Sequence, residues 1–140
     1  MKWYYMLLKF LKDKYVESSL KKIHQNYTIV PLGTYCLPRC ITTYAKIKPS
    51  KKEGEKSFPF DLAFYNNFEM ILNLIETKFE NFYTNLRYDS KQKLWINDSL
   101  NAIFNHDGTL SMEDFINRYN QRINNFFNYI APPNSIHKFL

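Results

Sequence analysis

The segment spanning residues 27–36 constrains the fold of this chain more than any other part of the sequence. Residues 27–32 form a short apolar run that ends at Gly33, which is typical of a buried β-strand. Cys36 follows after a short turn, and Pro38 favours the first turn of a helix because its missing N–H is not needed there. The pattern predicts a strand–turn–helix unit with a cysteine at the start of the helix.

Hydrophobic periodicity predicts the other elements of secondary structure. The predicted elements are an amphipathic helix over 3–23, a strand over 27–32, a helix from Cys36 to about Lys46, an extended segment over 57–62, a helix from Asn67 to about Tyr83, short strands over 94–96 and 102–104, and a long helix that starts at Ser111 and stops before Pro132. Ser111 is a good N-cap, and the two short strands can form a hairpin. This order predicts an α/β fold in which a small sheet is flanked by helices.

The length of 140 residues predicts one domain, residues 26–140, preceded by the amphipathic helix in residues 1–25. That helix is rich in lysine and can either pack on the domain or touch a membrane surface, and packing on the domain is preferred. No apolar run reaches the roughly 20 residues of a membrane span, so we expect no transmembrane segment.

The net charge of +6 raises the question of a nucleic-acid partner. Its lysines are concentrated in the N-terminal segment and in residues 46–56, where two glutamates and Gly54 indicate a solvated loop. No recognised nucleic-acid-binding motif accompanies them. Ordinary surface charge is the preferred interpretation, and nucleic acid is not an expected partner.

The two cysteines, Cys36 and Cys40, lie four residues apart and share one face if both are on a helix. That geometry suits a disulfide poorly, so we expect reduced thiols in a cytoplasmic protein. Two cysteines without neighbouring histidines do not make a zinc site, and no metal or cofactor is expected. Cys40, one turn into the helix, is expected to lie in the core.

Three side-chain types in the sequence can support nucleophilic catalysis. The N-terminus of a helix stabilises a thiolate, which makes Cys36 a candidate nucleophile. His106 is a candidate base, and Asp61 or Asp107 could orient its imidazole. Structural alternatives stay open: Cys36 as a small core residue, His106 and Asp107 as turn residues, and Asp61 as the cap of the following helix.

Four short motifs carry a resemblance to a known family. They are Leu32-Gly33-Thr34-Tyr35-Cys36, Pro59-Phe60-Asp61, His106-Asp107 and Arg118-Tyr119-Asn120-Gln121-Arg122-Ile123. In this order they resemble the bacterial family of predicted papain-like cysteine peptidases, a domain of unknown function. The family's peptidase activity is itself a prediction.

The resemblance implies a cysteine-dependent hydrolase that acts on a peptide or amide substrate. Cys36 would be the nucleophile and His106 the general base, with Asp61 or Asp107 orienting the imidazole. Backbone N–H groups around Gly33 and Leu37 would stabilise an oxyanion.

The chain departs from the family pattern in two ways. Leu62 stands where members usually have tryptophan, and members usually continue past the last helix, so we expect a short or C-terminally truncated member. The alternative function is that of a non-catalytic α/β module that keeps the family's scaffold and binds a partner. The basic N-terminal helix could form the contact with that partner. Arg118 and Arg122 lie four residues apart and could bind an anionic group, although solvation at the surface is the simpler interpretation.

Overall fold

The computed structural model describes residues 29–49, 51–130 and 138–139, together with residues 11, 13–16, 18, 19 and 22. The described residues between 11 and 22 are all helical, and the rest of the helix predicted over 3–23 lies outside the described residues. No helix in the described part of the chain is long and apolar enough to cross a membrane.

In addition to the helical residues between 11 and 22, three α-helices and six β-strands are defined in the described ranges. The helices are α1 (Leu37–Tyr44), α2 (Phe68–Glu76) and α3 (Met112–Ile130), and the strands are β1 (Ile29–Val30), β2 (Phe64–Tyr65), β3 (Leu86–Asp89), β4 (Leu94–Asn97), β5 (Ala102–Phe104) and β6 (Lys138–Phe139). Two short 3-10 turns cover Lys51–Glu53 and Asn105–Asp107. The predicted strand–turn–helix unit around Cys36 and the long helix after Ser111 are confirmed.

The four-stranded sheet is antiparallel and has the strand order β2-β5-β4-β3. The β4–β5 hairpin closes through Asn97, whose side chain accepts a hydrogen bond from the Leu100 N–H at 2.9 Å, and through Asn101 in a left-handed conformation. A separate parallel pair joins β1 to β6, with Ile29 opposite Lys138. The predicted α/β class and the predicted hairpin are therefore confirmed.

Aromatic side chains dominate the core between α3 and the sheet. Phe115, Tyr119 and Phe126 lie on one face of α3 because they follow the helical repeat, and all three are buried. Phe115 stacks on Tyr119 with ring centroids 4.5 Å apart, and Phe104 of β5 contacts both rings edge-on. Burying side chains of this size contributes roughly 1.5–3 kcal/mol each, so this layer stabilises the fold substantially.

The prediction of a helix up to Tyr83 was wrong in its second half. α2 ends at Glu76, and Lys78, Phe79 and Asn81 adopt positive φ angles between 51° and 61°. Left-handed residues cannot continue a right-handed helix. Phe79 and Phe82 are still buried, because successive turns carry them into the core at nearly the spacing a helix would give.

The Ser57–Leu62 segment is also not extended as predicted. The Asp61 N–H donates to the Phe58 carbonyl at 3.2 Å, so the chain turns at this proline-containing step. The turn buries Phe58, Phe60 and Asp61 together. Strands β2, β3 and β6 were not predicted from the sequence.

Candidate functional site

Cys36 is the N-cap residue of α1, with φ −69° and ψ −3°. Its carbonyl accepts the first helical hydrogen bond, from the Cys40 N–H at 3.0 Å, and its thiol makes no capping bond. Gly33 allows the preceding turn to lie against the helix, because a Cβ there would be 2.6 Å from the Pro38 Cγ. Leu37, the other predicted oxyanion-site residue, opens α1 with its side chain exposed. The predicted position of the thiol at a helix N-terminus is thus confirmed.

The Cys36 and Cys40 thiols are both free and neighbour each other one helical turn apart. Partial desolvation and the neighbouring Cys36 thiol raise the pKa of the Cys40 thiol, and the positive charge of Arg39 opposes this shift. Cys40 is exposed, so the prediction that it lies in the core was wrong. The reason is that α1 turns its polar side, and not its apolar side, toward the domain.

Asp61 lies at the centre of a buried ionic cluster, the Asp61 cluster, formed with Arg39, Lys48 and Glu55. One carboxylate oxygen of Asp61 accepts from Arg39 Nη1 at 2.5 Å, Lys48 Nζ at 2.6 Å and the Phe58 N–H at 3.0 Å. Glu55 pairs with Arg39 at 2.6 Å and lies 3.7 Å from Lys48 Nζ. The cluster therefore ties α1 to the turn that carries Asp61.

The other oxygen of Asp61, Oδ1, is buried and has no hydrogen-bond partner among the described residues. Burial lowers the pKa of Lys48, and the charge and hydrogen bond of Asp61 oppose that shift. Asp61 does not cap α2, since Asn67 does so by accepting from the Met70 N–H at 2.8 Å. The suggested role of Asp61 in orienting His106 stays a prediction.

Asp107 anchors a second buried group, the Asp107 cluster, formed with Arg118, Tyr119 and Arg122 of α3. Its two oxygens accept from Arg118 Nη1 at 2.7 Å, the Tyr119 hydroxyl at 2.9 Å and Arg122 Nη1 at 3.1 Å. The Arg122 guanidinium also lies 4.7 Å from the centre of the Tyr119 ring. Both arginines suggested as anion ligands thus pair with an internal carboxylate, a grouping that the sequence did not predict.

His106 lines a surface hollow of about 680 Å³, here called the His106 hollow. Its walls are Tyr88, Lys93, Trp95, Asn105, His106, Gly108, Thr109, Leu110 and Ser111. The Tyr88 and Trp95 rings lie 5.2 Å apart on one wall. The indole N–H of Trp95 is buried and has no hydrogen-bond partner among the described residues.

Gly108 holds the loop after His106 against the β3–β4 turn. A Cβ at this position would lie 1.8 Å from the Lys93 carbonyl oxygen, so only glycine permits this approach without a backbone shift. Lys93 itself has a φ of 54°. The two walls of the hollow are therefore in backbone contact, which fixes the distance between them.

The strand order places Cys36 and the His106 hollow beside different halves of the sheet. The Thr34 carbonyl accepts from the Tyr65 N–H at 2.9 Å, which puts the turn before Cys36 on the outer edge of β2. The hollow is built on β3 and β4, beyond β5. With strands about 4.8 Å apart, roughly three spacings separate the Thr34 turn from β4.

The residues that sequence reasoning missed fall into two sets. Tyr88 and Trp95 lie directly opposite each other on β3 and β4. The β-propensity of these two aromatic residues could have predicted the pair if β3 had been recognised as a strand. Arg39, Lys48 and Glu55 carried no such signal, because their burial depends on an aspartate from another segment.

Comparisons of this chain with known protein families, with curated proteins and with solved structures gave no match. The resemblance to the predicted papain-like cysteine peptidases therefore stays an expectation from the quoted motifs.

Proposed function

We propose that this chain is an α/β binding module whose ligand occupies the His106 hollow. The observation that carries the proposal is the lining of the hollow, which combines Lys93 and His106 with the exposed Tyr88 ring and contains no acidic residue among the described residues.

The lining of the hollow favours an anionic ligand. It offers Lys93 and the His106 imidazole as donors, with the hydroxyls of Thr109 and Ser111 nearby. None of the nine described lining residues is acidic. A carboxylate or phosphate group would meet complementary charge there, and charge-assisted hydrogen bonds are about twice as strong as neutral ones.

The Tyr88 ring, which is 43% exposed and packs on Trp95, favours a planar group next to that anion. Aromatic side chains provide a flat apolar surface on which a ring can stack, and their ring centres lie 5.2 Å apart. The hollow's volume of about 680 Å³ falls in the usual range for small-molecule sites. The proposed ligand class is a small aromatic compound that carries a carboxylate or phosphate.

The test is a titration of the full chain with benzoate and with phenyl phosphate, followed by Trp95 fluorescence in a Trp3→Phe background. We expect saturable binding of both anions and much weaker binding of neutral benzyl alcohol. Lys93→Ala removes the lysine of the hollow and should weaken binding about tenfold.

Lys91→Ala is the matched control, because Lys91 is exposed in the same turn but does not line the hollow. It should leave the affinity unchanged. Equal binding of benzoate and benzyl alcohol, or equal losses in the two lysine variants, would contradict the proposal.

A second candidate function is the cysteine-dependent hydrolase, which the position of Cys36 at the N-cap of α1 favours. The unpaired N–H groups of the first turn would stabilise both the Cys36 thiolate and an oxyanion. The sulfur would attack a carbonyl carbon, an amine would leave with the thiol proton, and water would hydrolyse the thioester. His106 is the candidate base, and it would have to reach Cys36 across β5 and β2.

The hydrolase candidate predicts that iodoacetamide alkylates Cys36 much faster than Cys40 near neutral pH. The raised pKa of the Cys40 thiol keeps that residue slow although it is exposed. His106→Ala should remove the difference, as measured by mass spectrometry of the labelled peptides. Similar alkylation rates at the two cysteines would exclude Cys36 and His106 as a catalytic pair. An alkylation rate at Cys36 that is unchanged in His106→Ala would exclude it as well.

A further inference from the structure

Helix α1 packs its polar face against the domain and exposes its apolar face to solvent. Arg39 joins the Asp61 cluster, and the Thr42 side chain is buried with its hydroxyl donating to the carbonyls of Pro38 and Arg39. On the opposite face Leu37, Ile41 and Tyr44 are 60%, 55% and 92% exposed. A surface helix normally buries its apolar face, so this exposed face indicates a docking surface.

The exposed face of α1 has four members at helical spacing. They are Leu37, Cys40, Ile41 and Tyr44, here called the α1 outer face. Tyr35, just before the helix, is also exposed and packs edge-on against Phe64, with ring centroids 4.8 Å apart. The outer face thus combines two aliphatic side chains, a thiol and a tyrosine, and Tyr35 lies next to it.

The positive charge of the protein is concentrated in the same part of the chain. Between Glu17 and Glu53 the sequence has no acidic residue and seven basic ones, namely Lys21, Lys22, Arg39, Lys46, Lys48, Lys51 and Lys52. The other twelve basic residues are offset by the thirteen acidic residues of the whole chain. Arg39 and Lys48 are paired with carboxylates in the Asp61 cluster, so the remaining positive charge of this segment belongs to Lys21, Lys22, Lys46, Lys51 and Lys52.

We propose that the α1 outer face docks on an anionic lipid membrane surface. Leu37 and Ile41 would enter the boundary between headgroups and acyl chains, and Tyr44 would sit at headgroup level, where tyrosine is favoured. Exposed Lys52, in the 3-10 turn after α1, would meet the lipid phosphates and carboxylates.

A membrane fits this surface better than the other partners that a basic segment can bind. Aliphatic side chains at the centre of the face would gain little from bases or phosphates, whereas acyl chains would bury them. A second copy of the chain would bring two basic segments together and repel itself. Apolar contact and positive charge act in the same direction at an anionic lipid surface.

The experiment is co-sedimentation of the full chain with vesicles of phosphatidylcholine, with and without phosphatidylserine. We expect binding only when phosphatidylserine is present, and release as salt is raised. Ile41→Asp should weaken binding about tenfold or more, because it places a charge where an apolar side chain must be buried. Lys52→Ala should weaken binding about fivefold.

Two controls separate this docking from general surface effects. Leu72→Asp changes a leucine of α2 that is 45% exposed, and it should bind vesicles like the original chain. Lys93→Ala, which impairs the His106 hollow, should also bind normally, so the two proposals fail independently. Circular dichroism should show that all four variants keep the fold.

Several outcomes would overturn the docking proposal. They are equal binding to phosphatidylcholine alone, unchanged binding of Ile41→Asp, or an equal loss with Leu72→Asp. A dimer in light scattering that Ile41→Asp dissociates would assign the face to a second copy of the chain. Single-stranded RNA binding that is lost in Ile41→Asp, without vesicle binding, would assign it to nucleic acid.

Discussion

Asp107→Ala is expected to lower the free energy of unfolding by about 3–5 kcal/mol. The Asp107 side chain is 1% exposed and accepts hydrogen bonds from Arg118, Tyr119 and Arg122. Its removal leaves the Arg122 guanidinium buried without its carboxylate, and the loss of a buried partner costs far more than the intact pair contributes. Urea unfolding followed by far-UV circular dichroism measures the effect.

Asp98→Ala provides the matched control for Asp107. Asp98 also pairs with an arginine, Arg87, at 2.6 Å, but both side chains are half exposed. The Arg87 hydrogen bond lowers the pKa of Asp98, yet solvent screens a pair at this position. We expect little change in the unfolding midpoint. Equal destabilisation by the two substitutions would show that burial does not set the strength of the Asp107 cluster.

Asp61→Ala is expected to have an effect of the same size, about 3–5 kcal/mol. The Lys48 side chain is only 2% exposed. Without Asp61, Glu55 at 3.7 Å is the carboxylate that remains near its ammonium group among the described residues. Arg39 still pairs with Glu55, so α1 stays attached by one contact. Thermal unfolding followed by circular dichroism, together with urea titration, measures the loss.

A double substitution tests whether charge causes that loss. Lys48→Met combined with Asp61→Leu replaces the buried pair by apolar side chains, and such replacements are often neutral or stabilising. We expect the double variant to be more stable than Asp61→Ala. A double-mutant cycle with the single variants isolates the coupling between the two residues. Purely additive losses would show that the ion pair does not couple α1 to the turn.

Elements with several agreeing local signals were predictable from the sequence. α3 combined apolar residues at helical spacing with a capping residue, and Ser111 Oγ accepts from the Asp114 N–H at 3.1 Å as the sequence indicated. α1 was placed correctly because Pro38 marks its first turn. The prediction of α2 was wrong beyond Glu76, because Phe79 keeps the helical spacing of apolar residues while its backbone is left-handed. Periodicity reports burial, and turns can bury residues at the same intervals.

The candidate site was less predictable than the fold. The sequence identified Cys36, Asp61, His106 and Asp107 as candidate site residues. It did not identify the basic side chains that pair with the two aspartates, because those come from other segments of the chain. Asp61 pairs with Lys48 and Asp107 with Arg122, and no local pattern indicates that a lysine or an arginine is buried. The orientation of α1 was also not predictable, because an amphipathic pattern alone does not determine which face packs against the domain. The exposed Leu37 and Ile41 are the result.

The pairing of β1 with β6 has a consequence for the order in which the molecule assembles. Strands β3, β4 and β5 join close neighbours in sequence, whereas β1 pairs Ile29 with Lys138. Contacts between distant residues carry a larger loop-closure cost and form late. The antiparallel sheet should nucleate first, and the strand that leads into α1 should dock last and open first. An alkylation rate at Cys36 would then also report how often β1 and β6 separate.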